Sequence, residues 1–110
     1  MENYKGYFIS GSAVPKWYLT GRKSKSLGIV FKSGRLGGSV VEFKRIEGAT
    51  FHGKQEAEQH GLELCKSWVD EYEAMEKKMD ALERRFAETH DPEAKKQLED
   101  LSRQRVRMMG

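Results

Sequence analysis

The sequence predicts an α+β fold: a four-stranded antiparallel meander, followed by a long amphipathic helix and a C-terminal helical hairpin. Three observations carry this. Apolar residues alternate with period two in short segments of the first half, the period changes to about 3.6 after Phe51, and it restarts after His90-Asp91-Pro92. The expected division is residues 1–72 for the sheet and its packing helix, and residues 73–110 for the hairpin or coiled-coil extension.

The first strand is expected over Tyr4–Ser10, with Tyr7 and Ile9 on one side, and it runs into Gly11-Ser12 as a breaker. A second, Lys16–Arg22, sets Trp17, Leu19 and Gly21 against Tyr18, Thr20 and Arg22, after which "RKSKS" forms a basic turn. A third, Leu27–Lys32, alternates Ile29 and Phe31 against Val30 and Lys32 and ends at "SGRLGG", whose glycines suit a tight turn. The fourth, Ser39–Ile46, sets Val41 and Phe43 against Val40, Glu42 and Lys44. Short strands joined by short turns make an antiparallel meander. The face expected beneath the helix is Trp17/Leu19/Ile29/Phe31/Val41/Phe43, which leaves Phe8, Tyr18 and Val30 with Thr20, Arg22 and Lys32 outside.

From Ala57 onward Gly61, Leu64, Trp68, Tyr72 and Met75 recur at spacings of three and four, the mark of an amphipathic helix. Glu56 and Glu58 lie in its first turns, where the helix dipole favours acids. Gly61 costs about 1 kcal/mol relative to Ala in a helix, so its expected purpose is close approach of a strand or ring. The stripe continues through Met75, Met79, Leu82 and Phe86 to about Thr89. That length, roughly 50 Å at 1.5 Å per residue, exceeds the span of short strands, so its second part is expected to overhang the sheet. Asp91 then caps a second helix with Pro92 at its first position, and Ala94, Leu98, Leu101 and Arg105 or Val106 form its stripe. A hairpin with so narrow a stripe is marginal alone, so Met75, Met79, Leu82, Phe86, Leu98 and Leu101 are expected to pack helices together in a homodimer or against a target.

A chain of 110 residues accommodates one core, and 37% apolar residues with two Trp, five Phe and four Tyr are enough to anchor it. A lone cysteine, Cys65, forms no internal disulfide, the start has no secretion-signal pattern, and no apolar run reaches membrane-spanning length; a soluble cytoplasmic protein is expected. Charge is segregated. Residues 1–53 hold nine Lys and Arg against three acids, net +6, and residues 54–110 hold eleven against fourteen, net −3.

Catalytic patterns are absent. His60 and Cys65 are five apart on one helix and point to different faces, and with His52 they make no ligand set, so neither a metal nor another cofactor is expected. Cys65 is read as a small buried residue and the histidines as surface or helix-start residues. No nucleophile–base or paired-carboxylate arrangement stands out, "SGRLGGS" lacks the Gly-Lys-Ser/Thr ending of a phosphate loop, and an enzyme with a small-molecule substrate is not expected.

"GYFISG", Trp17 and "FHGKQEAEQHGLELCKSWVDE" together resemble small bacterial sheet-plus-helix proteins over residues 4–72. That resemblance rests on a Tyr-rich first strand, an aromatic before the helix (Phe51), Glu56-Ala57, and a helix ending in Trp68-Val69-Asp70. His52-Gly53 stands where those proteins carry a capping Ser or Thr. It implies the sheet-plus-helix fold and no particular activity. The order of four strands and a helix is also similar, in topology alone, to Whirly, Pur-repeat and transcriptional-coactivator single-stranded-DNA binders, which dimerise through helices and bind on the sheet.

The leading functional expectation is therefore non-catalytic binding of single-stranded nucleic acid. Lys16, Arg22, Lys23, Lys25, Lys32, Arg35, Lys44 and Arg45 would attract phosphate, and Phe8 and Tyr18 would stack bases. Against it, a one-sided sheet needs a polar outer face in any case. The competing expectation is a protein-interaction or adaptor module that works through the C-terminal helices, with Met75, Met79, Met108 and Met109 either a docking groove or a helix–helix core.

Overall fold

A computed structural model describes residues 2–15, 23–33 and 39–109. Its elements are β1 (Glu2–Tyr4), β2 (Tyr7–Pro15), β3 (Ser24–Ser33), β4 (Val40–Phe51), α1 (Lys54–Thr89) and α2 (Pro92–Met109). The four strands form one antiparallel sheet in the order β1-β2-β3-β4, so the meander with its long helix and terminal helix is the architecture of the chain. Two compact units divide it at Val69/Asp70.

The strand boundaries differ from those expected, for local reasons. Tyr4–Ser10 is not one strand: Lys5 (φ 50°) and Gly6 (φ 87°) turn the chain between paired Tyr4 and Tyr7. Both turn residues are left-handed, the geometry of a two-residue hairpin, and glycine takes the second position without steric cost. Gly11-Ser12 breaks nothing, because β2 runs through it to Pro15. Ser24, Lys25 and Ser26 belong to β3, not to a basic turn, and β4 continues past Ile46 to Phe51. The expected strand Lys16–Arg22 and most of the "SGRLGG" turn fall outside the described residues.

On β3 the packing face is the opposite of the expected one, while Phe8 faces outward and Phe43 faces the helix as expected. Ile9 pairs with Val30 across β2 and β3, both are wholly buried, and with Cys65 and Val69 of α1 they form the core of the first unit. Phe8, Ile29 and Phe31 consequently lie on the other face. Each fully buried large side chain removed from water contributes on the order of 1.5–3 kcal/mol. Gly11 and Gly28 sit opposite each other at the centre of this face, and α1 lays Gly61 directly on them. A Cβ on Gly61 would stand 2.5 Å from the Leu27 carbonyl oxygen and 3.1 Å from the Gly11 Cα. The expected role of Gly61 therefore holds: backbone meets backbone, which brings Cys65 and Val69, each one turn further on, down onto the sheet. The buried stripe is Ala57, Gly61, Cys65 and Val69, with Leu64 and Trp68 half-buried at its flanks instead of at its centre.

Two irregularities in β4 set its facing. Val30 pairs with Lys44 and Phe31 with Glu42, leaving Phe43 as an extra residue, and a second shift lies between Lys25/Thr50 and Leu27/Glu47. Such bulges break strict alternation. They bring Phe43 into the aromatic cluster with Tyr7 (6.0 Å between centroids) and Trp68 (5.6 Å), and Phe51 onto His60 (5.0 Å). Lys66 of α1 fixes the short edge strand, 3.3 Å from Glu2 and over the Tyr4 ring.

In the second unit the helices turn back at His90-Asp91. Asp91 Oδ1 accepts the Glu93 N–H at 3.0 Å and Oδ2 meets Arg85 at 3.0 Å, so the expected cap is in place with Pro92 at the first helical position. Arg105 reaches Glu76 at 3.4 Å, near the other end of the hairpin.

Candidate functional site

The sequence proposes two surfaces, and each is built by one unit. On the sheet face turned away from α1, antiparallel pairing sets Phe8 beside Phe31, Ser10 beside Ile29, and Ser12 beside Leu27. From β4, Glu42, Arg45 and Glu47 join these rows opposite Phe31, Ile29 and Leu27. The described part of this face is thus a half-buried apolar row bordered by charges. Its cations are matched: Lys25 meets Glu47 at 2.9 Å, and Arg45 meets Glu42 at 2.8 Å.

The basic residues expected to act together do not all share that face. Lys25 and Arg45 lie on it. Lys32 belongs to the helix side, its ammonium 5.2 Å from the centre of the Phe43 ring. Lys44 pairs with Val30 beside the bulge, and Lys23 precedes β3. Phe8 is on the face and stands beside Phe31, a partner the sequence reading assigned to the buried side. Lys16, Tyr18, Arg22 and Arg35 fall outside the described residues.

The second surface belongs to the hairpin. Met75, Met79 and Ala94 are buried, at 3%, 7% and 1% exposure, whereas Leu82, Phe86, Leu98 and Leu101 are half-buried and Val106 is 71% exposed. Phe86 is held edge-on to His90 at 5.7 Å. Between the helices runs a groove of about 450 Å³ lined by Lys78, Ala81, Leu82, Gln97, Asp100 and Leu101. It adjoins a smaller hollow that shares Lys78 and Leu101 and is also lined by Ala74 and Met75. Lys78, Ala81, Gln97 and Asp100 were not singled out in the sequence. A signal was present: Ala74 and Ala81 are seven apart and run beside Met75 and Leu82, also seven apart, so a ridge of small residues follows the large ones at heptad spacing.

Tyr72 lies within the same hairpin. Burial, the nearby Glu76 carboxylate and a hydrogen bond to it raise the phenol pKa above 10.0, partly opposed by Arg105. Between the helices here Glu76 meets Arg105 at 3.4 Å, with Tyr72 beside Glu76 on α1.

The remaining chemistry-bearing residues are dispersed. The Cys65 thiol is buried and donates to the Ser10 carbonyl at 3.7 Å, and burial raises its pKa above 9.0. His60 rests on Phe51, and His52 is exposed. Among the described residues no three His, Cys, Asp or Glu side chains converge as a metal would require. A hollow of about 720 Å³ follows the first turns of α1, but Glu56, Glu58 and Glu63 line it, a poor environment for an anion. No helix among the described residues is long and apolar enough to cross a membrane. No known protein family, curated protein or solved structure matches the chain.

Proposed function

We propose that the protein is a non-catalytic protein-interaction module that docks a helical partner, a second copy of the chain included, along its C-terminal hairpin. One observation carries the reading: the hairpin, which among its described residues buries only the hydrophobic side chains of Met75, Met79 and Ala94, leaves an apolar groove of about 450 Å³ between Leu82 and Leu101. An amphipathic helix laid in that groove would complete a core that two helices cannot complete alone. A photo-crosslinking side chain at Ala81, carried by the full chain in its source cells, tests this. An adduct formed from Ala81 and not from exposed Lys95, which does not line the groove, is expected; none, or equal labelling from both positions, counts against it.

A second reading, binding of single-stranded nucleic acid on the sheet, is favoured by the Phe8–Phe31 pair, which offers two rings on the face turned away from α1. Exposed ion pairs such as Lys25–Glu47 contribute only about 0–1 kcal/mol, so a polyanion could draw those cations off their glutamates. Oligonucleotide affinity should then fall steeply between low and moderate salt, and Phe8→Ala should weaken it by the equivalent of about 1–3 kcal/mol per lost stack. Absence of binding at low salt excludes this reading.

A further inference from the structure

We infer that the occupant of the hairpin groove is a second copy of this chain, related by a two-fold axis running along the groove; this rests on the reading of the hairpin as a docking surface. Residues 70–110 hold nine Lys and Arg against eleven acids, net −2, so two hairpins carry little net charge with which to repel each other. Within the groove the signs are divided between the helices: Lys78 stands on the α1 wall and Asp100 on the α2 wall.

The helices are antiparallel, tied at one end by Arg85–Asp91 and towards the other by Glu76–Arg105. Lys78 and Asp100, which line the same short groove, therefore lie at about the same level along it. A two-fold axis parallel to the helices lays α1 of each copy over α2 of the other. Lys78 of one copy then faces Asp100 of the second, and Asp100 of the first faces Lys78 of the second. The same patch serves both copies, as a two-fold contact requires. An axis crossing the groove at that level would set Lys78 near Lys78 and Asp100 near Asp100, so the charges select the first arrangement. Asp100 also has Arg103 at 3.7 Å on its own helix, both largely exposed, a contact too weak to hold the carboxylate against a new partner.

Alanine suits this packing. Ala81 lines the groove at an exposed position and Ala74 lines the adjoining hollow one heptad earlier, leaving room for a facing helix to approach while Leu82 and Leu101 supply apolar surface. Four helices in alternating directions around these residues form a bundle of the ordinary kind.

Charge exchange between copies tests the inference on the full-length chain. By sedimentation the wild type is expected at twice 12.7 kDa in the micromolar range. Lys78→Asp and Asp100→Lys, each alone, replace two attractive contacts by two repulsive ones and should weaken association roughly 10- to 100-fold. Mixing the two variants should restore it: the Lys78→Asp chain presents two acids along its groove and the Asp100→Lys chain two bases, so a mixed pair matches at both positions. Rescue by mixing cannot arise from a contact inside one chain. Far-UV circular dichroism checks that each variant stays helical, and Ala81→Glu, at an exposed position, gives an independent disruption. A wild type that stays at one-chain mass at high micromolar concentration, or variants that remain monomeric when mixed, overturns the inference. So does an Ala81 crosslink that joins only a different protein, and that result leaves the docking reading itself intact.

Discussion

At the scale of single residues, the contact between sheet and helix depends on what three glycines lack. Gly28 faces the Gly61 carbonyl oxygen, which would stand 2.5 Å from any added Cβ, and the Cys65 sulfur at 2.8 Å. Gly61→Ala should therefore destabilise the chain although alanine is the better helix former. Helix propensity favours it by about 1 kcal/mol, but the new methyl meets backbone, which cannot rotate aside, and overpacking costs typically about 1–3 kcal/mol. A lower urea midpoint with unchanged slope is expected; an unchanged or higher midpoint would mean the helix rides further from the sheet than 3.1 Å between that methyl and Gly11 Cα allows. Cys65 makes a second residue-scale prediction. Its folded-state pKa is raised above 9.0 by burial, so the native state holds the proton longer than the unfolded chain does. Its contribution is fully present below pH 9.0, starts to decline as the unfolded thiol ionises, and is lost once pH has also passed the folded-state value. Stability measured upward from pH 8 should fall more steeply for the wild type than for Cys65→Ala, and a thiol reagent should modify Cys65 only at the rate of unfolding.

At the scale of elements, helix limits were legible because their signals are chemical and local. α1 begins at Lys54 and ends at Thr89 where the period-3.6 stripe does, and α2 begins at Pro92 behind the Asp91 cap. Asp91 holds two partners at once, the Glu93 N–H and Arg85. Asp91→Ala should cost about 0.5–2 kcal/mol and release the first turn of α2, seen as faster amide exchange at Glu93 and Ala94 with little change at Cys65. Equal protection in the variant would show that the hairpin is held by its apolar contacts alone. Strand limits and facing were less legible. Lys5-Gly6 turns within a segment whose alternation reads straight through it, and Gly11, which looks like punctuation, is a packing surface inside β2. The extra residue at Phe43 has no mark in the sequence, because a bulge is an agreement between two strands and is visible only once their register is known. The facing of β3 is a separate matter: its alternation is regular against β2, and pattern alone does not say which side meets α1, so Val30 reads as outside and Phe31 as inside until Gly28 is seen beneath Gly61. Among the candidate residues Lys32 follows that inversion onto the helix side, whereas Phe8 faces outward as expected.

At the scale of the whole chain, each of the two units has its own core, and removing one should leave the other readable. Ile9, Val30, Cys65 and Val69 all belong to the unit Met1–Val69, as do the Tyr7–Phe43–Trp68 rings packed against them. The hairpin contributes to its own core Met75, Met79 and Ala94. A chain ending at Tyr72 keeps every member of the first core and several residues of α1 beyond Val69 to close its last turn, so it should unfold cooperatively and keep the near-ultraviolet signal of Trp68. It should also be monomeric, since Lys78, Ala81, Leu82 and the whole of α2 are gone. Residues 1–72 carry eleven Lys and Arg against eight acids, net +3, so the shortened chain retains all the cationic excess of the full one. Oligonucleotide binding that survives in this monomer with its salt dependence intact would assign nucleic acid to the sheet and leave the hairpin an assembly device. Binding by the full chain that vanishes on truncation would instead mean that two sheets must act together, because one face with Lys25 and Arg45 matched by Glu47 and Glu42 offers a single strand too little free charge.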